Sequence, residues 1–210
     1  RLMFDFQSLI LSAPAILFGL TIHEFSHGWV AWQLGDPTAK MMGRLTLNPL
    51  KHLDPIGTIA LFLFRFGWAK PVPIDPRNFQ HPTRDMAISS LAGPGANLVT
   101  AAVAGIILRV LLLFHVGGFA VAIATYFVLF NLILCFFNLI PIPPLDGSRL
   151  LFHLLPPNLA AGYARLERYG FIILIGIIFL GQITNVNLLW LYMGPLLRVF
   201  SLIFVGQPIL

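Results

Sequence analysis

The chain has 210 residues, of which 58% are hydrophobic and only 10% are charged, with a formal net charge of +5. Soluble domains carry about 25% charged residues, so this composition excludes an ordinary soluble fold and predicts a protein surrounded mainly by lipid. The single cysteine, Cys135, excludes an internal disulfide and a cysteine-based zinc site. The positive charge does not indicate nucleic-acid binding, because the cations lie in loops beside apolar segments.

The first apolar segment runs from about Phe6 to Leu34 and ends at Gly35-Asp36-Pro37, a strong helix stop. About 20 apolar residues suffice to cross a bilayer, so the segment predicts a first transmembrane helix. The polar stretch Asp36–Asp85 follows, and within it the apolar run Ile56–Phe66 is too short to cross upright. That run predicts a re-entrant or interfacial piece. The proline-rich segment Gly67–Ile74 predicts an extended strand or a hairpin.

Four further apolar segments follow in the second half of the chain. The second and third spans, about Met86–Phe114 and Gly118–Ile140, are separated only by His115-Val116-Gly117, which predicts a tight antiparallel pair. A fourth span, about Tyr169–Ile183, and a fifth, about Leu188–Phe204, are shorter. The pattern predicts an all-α polytopic membrane protein with about five transmembrane helices and a re-entrant or extended segment between the first two.

The cationic side chains predict a topology, because Lys and Arg are enriched in cytoplasmic loops. The turns His115–Gly117 and Thr184–Asn187 carry neither residue type. We therefore predict a multi-pass protein with its N-terminus outside and its C-terminus in the cytoplasm. The cations cluster in the loops after the first and third spans, at Lys40, Arg44, Lys51, Arg65, Lys70, Arg77, Arg84, Arg149, Arg165 and Arg168.

The first span contains His23-Glu24-Phe25-Ser26-His27, an H-E-x-x-H pattern. Residues four apart share one face of a helix, so His23 and His27 can bind one zinc ion while Glu24 projects toward a metal-bound water. Ionisable groups inside a span cost roughly 3 kcal/mol each, so three of them within five residues need a metal or another partner. A chance match is expected in well under about one percent of chains of this size. The pattern predicts a hydrolytic zinc site.

A catalytic zinc usually has three protein ligands and one open position, so a third ligand must come from elsewhere in the chain. The motif ends seven residues before Leu34, about 10 Å from the cytoplasmic end of the span. Asp146 fits best, because it follows a proline-broken span end on that side, where irregular backbone at membrane depth lines a cavity or is buried. The candidates by residue type are His52, Asp54, His81, His115, Asp146 and His153.

These residues resemble the signature of the site-2 proteases, a family of intramembrane zinc metalloproteases. The resemblance rests on the motif at 23–27 together with the run Asn138–Gly147, and it includes Gly93–Asn97 and Gly43–Pro49, typical of small bacterial and archaeal members without a PDZ domain. It covers roughly residues 6–155. It implies one Zn²⁺ per chain in a prokaryotic cell membrane, with Glu24 as the general base. The implied ligands are His23, His27 and Asp146.

The resemblance also implies an activity, which is hydrolysis of peptide bonds within or next to transmembrane segments of membrane proteins near the cytoplasmic face, as in regulated intramembrane proteolysis. The partners would be such substrates and the lipid bilayer, with no nucleic acid. Residues 1–210 would form one domain, with a catalytic core at about 6–155 and accessory spans at about 169–204. The oxyanion needs a hydrogen-bond donor. Asn138 and Asn97 are candidates, although either asparagine could instead join helices.

Other classes of function remain as alternatives. A zinc transporter would need ligands on both sides of the membrane, and the outer half offers only His115. An inactive zinc-binding scaffold would not require Glu24, and another zinc protease family would be expected to use a glutamate as third ligand, whereas the only other glutamate is Glu167. The segment Gly67–Ile74 could pair with an unwound substrate as an added strand or anchor the chain at the membrane surface. His52 and Asp54 could form a second metal site, but they more simply support a turn.

Overall fold

The structure is a computed structural model that describes residues 6–64, 67–184 and 187–209. The described residues form helices joined by turns, and the one β-type pairing among them is an isolated antiparallel bridge between Leu53 and Ala69. The all-helical architecture predicted from the sequence is confirmed. The helices are α1 Phe6–Gln33, α2 Thr38–Met41, α3 Pro55–Phe64, α4 Pro82–Leu113, α5 Phe119–Asn138, α6 Asp146–Leu154, α7 Pro157–Ala164, α8 Gly170–Thr184 and α9 Leu188–Val205.

Three of the described helices, α4, α5 and α9, are long and apolar enough to cross a membrane. Helix α1 has 28 residues and packs against α4 and α5. The predicted count of five transmembrane helices is not confirmed. Helix α8, the predicted fourth span, has only 15 residues, or roughly 22 Å of helix against a hydrocarbon core of about 30 Å.

Helices α1, α4 and α5 form the centre of the molecule. Helix α1 is antiparallel to α4, because Gly19 contacts Asn97 while His27 contacts Ser89. Gly19 also allows α5 to approach closely, since a Cβ at this position would lie 2.8 Å from Leu134 Cδ1. Small residues at such contacts are typical of helix packing in membranes. The tight α4–α5 antiparallel pair predicted from the sequence agrees with the structure. We call the end of this bundle where α1 ends and α4 begins the loop end, and the opposite end the turn end.

Helix α9 completes the bundle and runs parallel to α4. Near its start, Leu189 packs against a buried cluster that contains Ile140 and Leu145, at the loop end. Near its end, Phe204 lies against Gly105 of α4, where a Cβ would come within 2.7 Å of Phe204 Cβ. Arg109 of α4 donates to the carbonyl oxygens of residues 202 and 203 in α9. Helix α9 therefore runs from the loop end to the turn end.

The predicted topology is corrected by this direction of α9. A fifth span preceded by a membrane-crossing fourth span would run antiparallel to α4. Instead, Leu174 in the first half of α8 packs in the same buried cluster as Leu189 at the start of α9. Helix α8 therefore does not carry the chain to the turn end. The prediction that the two termini face opposite sides is not supported, since α1 begins and α9 ends at the turn end of the bundle.

The region between α1 and α4 lies at the loop end. Gly35, with a φ of 110°, ends α1 as the sequence predicts. The predicted interfacial run, residues 56–66, corresponds to the ten-residue helix α3. Residues 65 and 66 of that run lie outside the described residues. Residues 67–75 form no helix, and Ala69 makes the isolated bridge, in agreement with the predicted extended segment or hairpin.

Candidate metal centre

Helix α1 positions two buried imidazoles on one face. His23 and His27 are four residues apart, their exposed fractions are 5% and 7%, and their Nε2 atoms are 2.9 Å apart. Both rings lie against Gly93 of α4. A Cβ on Gly93 would lie 2.6 Å from His27 Cε1 and 2.7 Å from His23 Cε1, and closer still to His27 Nε2. The absence of a side chain at Gly93 therefore makes the space that the two imidazoles occupy.

Asp146 is the first residue of α6, and its carboxylate reaches the same point. Asp146 Oδ2 is 3.1 Å from His23 Nε2 and 3.2 Å from His27 Nε2. The next residue, Gly147, packs directly on the end of α5, since a Cβ there would lie 2.5 Å from the carbonyl carbon of Leu139. Of the six third-ligand candidates named from the sequence, the structure brings Asp146 to the two histidines. Within the described residues this is the one cluster of three side chains suited to bind a metal ion.

Hydrogen bonds on the far side of each ring determine which nitrogen carries the proton. His23 Nδ1 is 2.6 Å from Asn97 Oδ1, and His27 Nδ1 is 2.7 Å from the Ser89 carbonyl oxygen. Both partners are acceptors, so each Nδ1 carries the proton in the neutral ring and each Nε2 keeps a lone pair. Asp146 Oδ2 is buried and has no hydrogen-bond partner. Three electron-pair donors thus converge with no proton between them, which is unfavourable without a cation.

The separations between these three atoms fit a zinc ion. Tetrahedral zinc with bonds of about 2.0–2.1 Å places neighbouring ligand atoms about 3.3–3.4 Å apart. The observed separations of 2.9, 3.1 and 3.2 Å lie slightly below that value. Two neutral imidazoles and one carboxylate also form a donor set that zinc enzymes use in catalytic sites. These residues could therefore hold Zn²⁺ and leave a fourth position for water.

Glu24 follows His23 on α1 and is half-buried. Its Oε2 accepts a hydrogen bond of 2.8 Å from the backbone N–H of Val72, in the extended segment between α3 and α4. The H-E-x-x-H motif predicts that Glu24 lies beside a bound metal. A backbone donor for this carboxylate is not predictable from side-chain patterns, because every residue except proline carries the same N–H group.

Asn97 connects the histidine pair to α5. Its Oδ1 faces His23, while its Nδ2 donates to the Gly19 carbonyl oxygen and to Asn131 Oδ1, both at 3.0 Å. All the hydrogen-bonding groups of this amide are thereby engaged, which favours a positioning role over the oxyanion role predicted from the sequence. Asn131 was not among the predicted site residues. Its signal was an asparagine within an otherwise apolar span, which indicates a buried hydrogen-bond partner.

Asn138, the other predicted oxyanion donor, is the last residue of α5. It is half-buried, and its Nδ2 donates to the Leu134 carbonyl oxygen at 2.9 Å. An amide nitrogen carries two hydrogens, so this bond leaves one N–H for another acceptor. Unlike Asn97, Asn138 therefore keeps a donor that an oxyanion can use.

His52 and Asp54 support local structure. His52 Nε2 contacts the Thr46 carbonyl oxygen at 2.8 Å, and Asp54 Oδ1 accepts from the Gly57 backbone N–H at 2.7 Å, at the start of α3. These contacts agree with the turn role that the sequence favoured over a second metal site. His115 lies in the α4–α5 turn, at the opposite end of the bundle from the loops.

A buried H-E-x-x-H pair on a bundle helix, with a carboxylate from a neighbouring helix, defines a membrane-embedded metalloprotease. Comparison with known proteins agrees. The model for peptidase family M50 matches residues 113–181. "Putative zinc metalloprotease YwhC" of Bacillus subtilis is 40% identical over 208 residues, covering 93% of this chain and 92% of that protein. The chain belongs to peptidase family M50, the site-2 proteases, and the resemblance seen in the sequence is confirmed.

More distant relatives bear similar names. "Putative zinc metalloprotease Rip2" of Mycolicibacterium smegmatis is 33% identical over 180 residues, covering 79% of this chain and 65% of that protein. "Putative zinc metalloprotease Rip2" of Mycobacterium tuberculosis is 31% identical over 175 residues, covering 80% and 66%. The chain therefore spans about two thirds of the length of these Rip2 proteins. No solved structure matches the chain. Family membership makes the protein a membrane metalloprotease with zinc as its cofactor.

Proposed function

We propose that this protein is an intramembrane zinc metalloendopeptidase that hydrolyses peptide bonds within or next to transmembrane segments of membrane proteins, near the cytoplasmic face. The observation that carries the proposal is the convergence of His23 Nε2, His27 Nε2 and Asp146 Oδ2 within 3.2 Å of one another, in a bundle that contains membrane-length helices. A zinc site within such a bundle suits a substrate that is itself embedded in the membrane.

We assign a role to each side chain of the site. His23, His27 and Asp146 would hold zinc, which would lower the pKa of a bound water and polarise the scissile carbonyl group. Glu24 accepts the proton of the attacking water as general base and then donates it to the leaving amine. Asn138 donates its second N–H to the oxyanion. Asn97 keeps His23 in the tautomer that presents Nε2 to the metal.

The position of the site within a membrane bundle explains why a substrate helix must unwind locally before it is cut. A transmembrane helix has its backbone amides paired internally, so a bond inside it becomes accessible only after local unwinding. The loop end of the bundle carries most of the cationic residues, which supports a cytoplasmic loop end. With that orientation, the start of α1 and the end of α9 both face the outside. Buried residues of α9, such as Leu197, share a core with α4 and α5, which supports one domain over residues 1–210.

The proposal is tested by zinc analysis and by cleavage of a model membrane protein whose transmembrane segment contains helix-destabilising residues. Wild type and Glu24→Gln are each expected to hold one zinc per chain, and only wild type should cleave. Glu167→Gln is the matched control, because Glu167 is the other glutamate and pairs with Arg149 on the surface. Asp146→Ala should lower the zinc content.

Two outcomes would contradict the proposed activity, and a third would contradict the proposed set of ligands. Equal zinc binding by wild type and Glu24→Gln with cleavage by neither would favour an inactive zinc-binding scaffold. Transport of radioactive zinc across the membrane of proteoliposomes, without cleavage of the substrate, would favour a transporter. A zinc content that is unchanged in Asp146→Ala would remove Asp146 from the set of ligands.

A further inference from the structure

The proline-rich segment Lys70–Asp75, which we call the strap, touches the metal centre directly. The backbone N–H of Val72 donates to Glu24 Oε2 at 2.8 Å. The Val72 side chain is buried. The assigned chemistry requires a free carboxylate oxygen on Glu24 but gives no part to the strap. A hydrogen bond to one oxygen of Glu24 leaves the other, Oε1, available for a proton.

The strap has a sequence suited to hold one N–H group in a fixed place. Val72 is flanked by Pro71 and Pro73, which have no N–H, so Val72 is the only backbone donor among these three residues. Each proline ring fixes its own φ, and the residue that precedes a proline is restricted to extended conformations. Both Lys70 and Val72 precede a proline. The strap is therefore stiff, and little conformational entropy is lost when Val72 binds Glu24.

Polar contacts attach both ends of the strap to the loop end of the bundle. At its start, Arg44 Nη2 donates to the carbonyl oxygens of Lys70 at 2.8 Å and Pro71 at 3.3 Å. At its end, the Asp75 N–H donates to Asp36 Oδ2 at 2.8 Å. Both anchoring side chains are buried. Burial alone would raise the pKa of Asp36, but hydrogen bonds from Thr38, Asn78 and Asp75 outweigh it and hold the pKa below its usual value.

Helix α1 is shaped to receive the strap on the face that carries Glu24. Gly28 lies four residues after Glu24 and therefore on the same face of the helix. A Cβ at Gly28 would lie 3.0 Å from Val72 Cγ1 and 3.2 Å from Ala39 Cβ. The absence of a side chain at Gly28 lets Val72 pack on α1 one turn beyond Glu24. The strap is thus fixed against α1 by packing as well as by hydrogen bonds.

We propose that the strap is a positioning element for the general base, in which the Val72 N–H holds Glu24 Oε2 so that Oε1 faces the metal-bound water. Arg44 and Asp36 are positioning residues that act through the strap. This inference rests on the proposed function of Glu24. It gives the motifs Gly43-Arg44 and Pro71-Val72-Pro73 a role in catalysis, although neither motif contains a metal ligand or the general base.

The contact is tested first without any measurement of activity. Protein labelled with ¹⁵N-valine in detergent gives an amide signal for Val72, assigned by its loss in Val72→Ala. In Glu24→Ala the amide proton of Val72 should move upfield, because it loses a charged acceptor. Glu167→Ala, which removes the other glutamate, should leave the signal in place. An unchanged Val72 signal in Glu24→Ala would overturn the proposal.

The catalytic consequence is tested by a pair of substitutions at one position. Val72→Pro removes the N–H and keeps the extended backbone, whereas Val72→Ala keeps the N–H and removes only side-chain packing. We expect kcat of Val72→Pro to fall about 10- to 100-fold, with KM and zinc content unchanged, because a small misplacement of a reacting group has effects of this size. Val72→Ala should lose less than about threefold. Wild-type kcat in folded, zinc-loaded Val72→Pro would overturn the proposal.

A second pair carries the test if Val72→Pro does not fold or loses zinc. Arg44→Met removes the donors to the strap carbonyl oxygens and should lower kcat with zinc retained, and Arg44→Lys should restore part of the loss. Equal, wild-type kcat in both variants would refute the role of Arg44. Failure of the proposed function is distinguishable, since wild type would then not cleave at all while the Val72 signal would still report its contact with Glu24.

Discussion

Gly93→Ala should strongly weaken zinc binding through the addition of a single methyl group. The new Cβ would lie 2.6 Å from His27 Cε1 and 2.7 Å from His23 Cε1, whereas carbon atoms in contact prefer about 3.5–4.0 Å. Each ring would have to move by roughly 1 Å, while zinc–ligand distances tolerate about 0.2 Å. Because both imidazoles are displaced, we expect zinc affinity to fall by more than the roughly 10- to 100-fold that loss of one supporting hydrogen bond causes.

The matched control for Gly93→Ala is Gly95→Ala on the same helix. A Cβ at Gly95 meets no atom within 4 Å. Both substitutions replace glycine inside a helix, where alanine is favoured by about 1 kcal/mol, so helix propensity cannot explain a difference between them. Zinc per chain and competition with a chelator measure the effect. Wild-type zinc affinity in Gly93→Ala would show that α4 does not pack against the two histidines as described.

Two further predictions concern the support of the site and the direction of α9. Asn97→Ala should weaken zinc binding about 10- to 100-fold in chelator competition, because His23 loses its hydrogen-bond partner. Asn138→Ala should lower kcat with zinc affinity unchanged. Equal zinc affinities in the two variants would contradict the separate roles of these asparagines. A topology reporter fused after Gly206 should be exposed outside the cell, and one fused after Leu155 in the cytoplasm; a cytoplasmic reporter after Gly206 would show that α9 runs the other way.

The convergence of His23, His27 and Asp146 was predictable, because each step of the prediction relied on a rule with few alternatives. Helical periodicity alone puts His23 and His27 on one face. Asp146 followed from the requirement for a third ligand and from the side of the membrane on which the motif lies. Topology excluded His115, and Asp146 was preferred among the others because it follows a proline-broken span end. That exclusion used only the first three spans, whose order and direction agree with the structure.

The direction of α9 was not predictable by the same reasoning. Counting charges in loops assumes that every apolar segment crosses the membrane. Helix α8 is apolar but short, so the assumption fails there. The direction predicted for the next helix, α9, is therefore reversed.

The contacts of Asn131 and Val72 were missed for another reason. An asparagine in a span indicates that it has a partner without naming it, and Asn97 lies 34 residues away in sequence.

The metal centre is best understood as a property of the pair α1 and α4. On α1, residues 19, 23 and 27 are spaced by four, and on α4 so are residues 97, 93 and 89. The antiparallel contact matches the two series, since Asn97 donates to the Gly19 carbonyl oxygen, Gly93 makes room for both rings, and the Ser89 carbonyl oxygen accepts from His27.

Such a match explains why the sequence around Gly93 and Asn97 accompanies the H-E-x-x-H motif. Residues four apart share a helix face, so one face of α4 supplies both the space for the imidazoles and the acceptors that fix their tautomers. A shift of α4 by one residue would rotate this face by about 100° and remove all three contacts together. The two motifs therefore specify a single packed face, and neither alone is sufficient to define the zinc site.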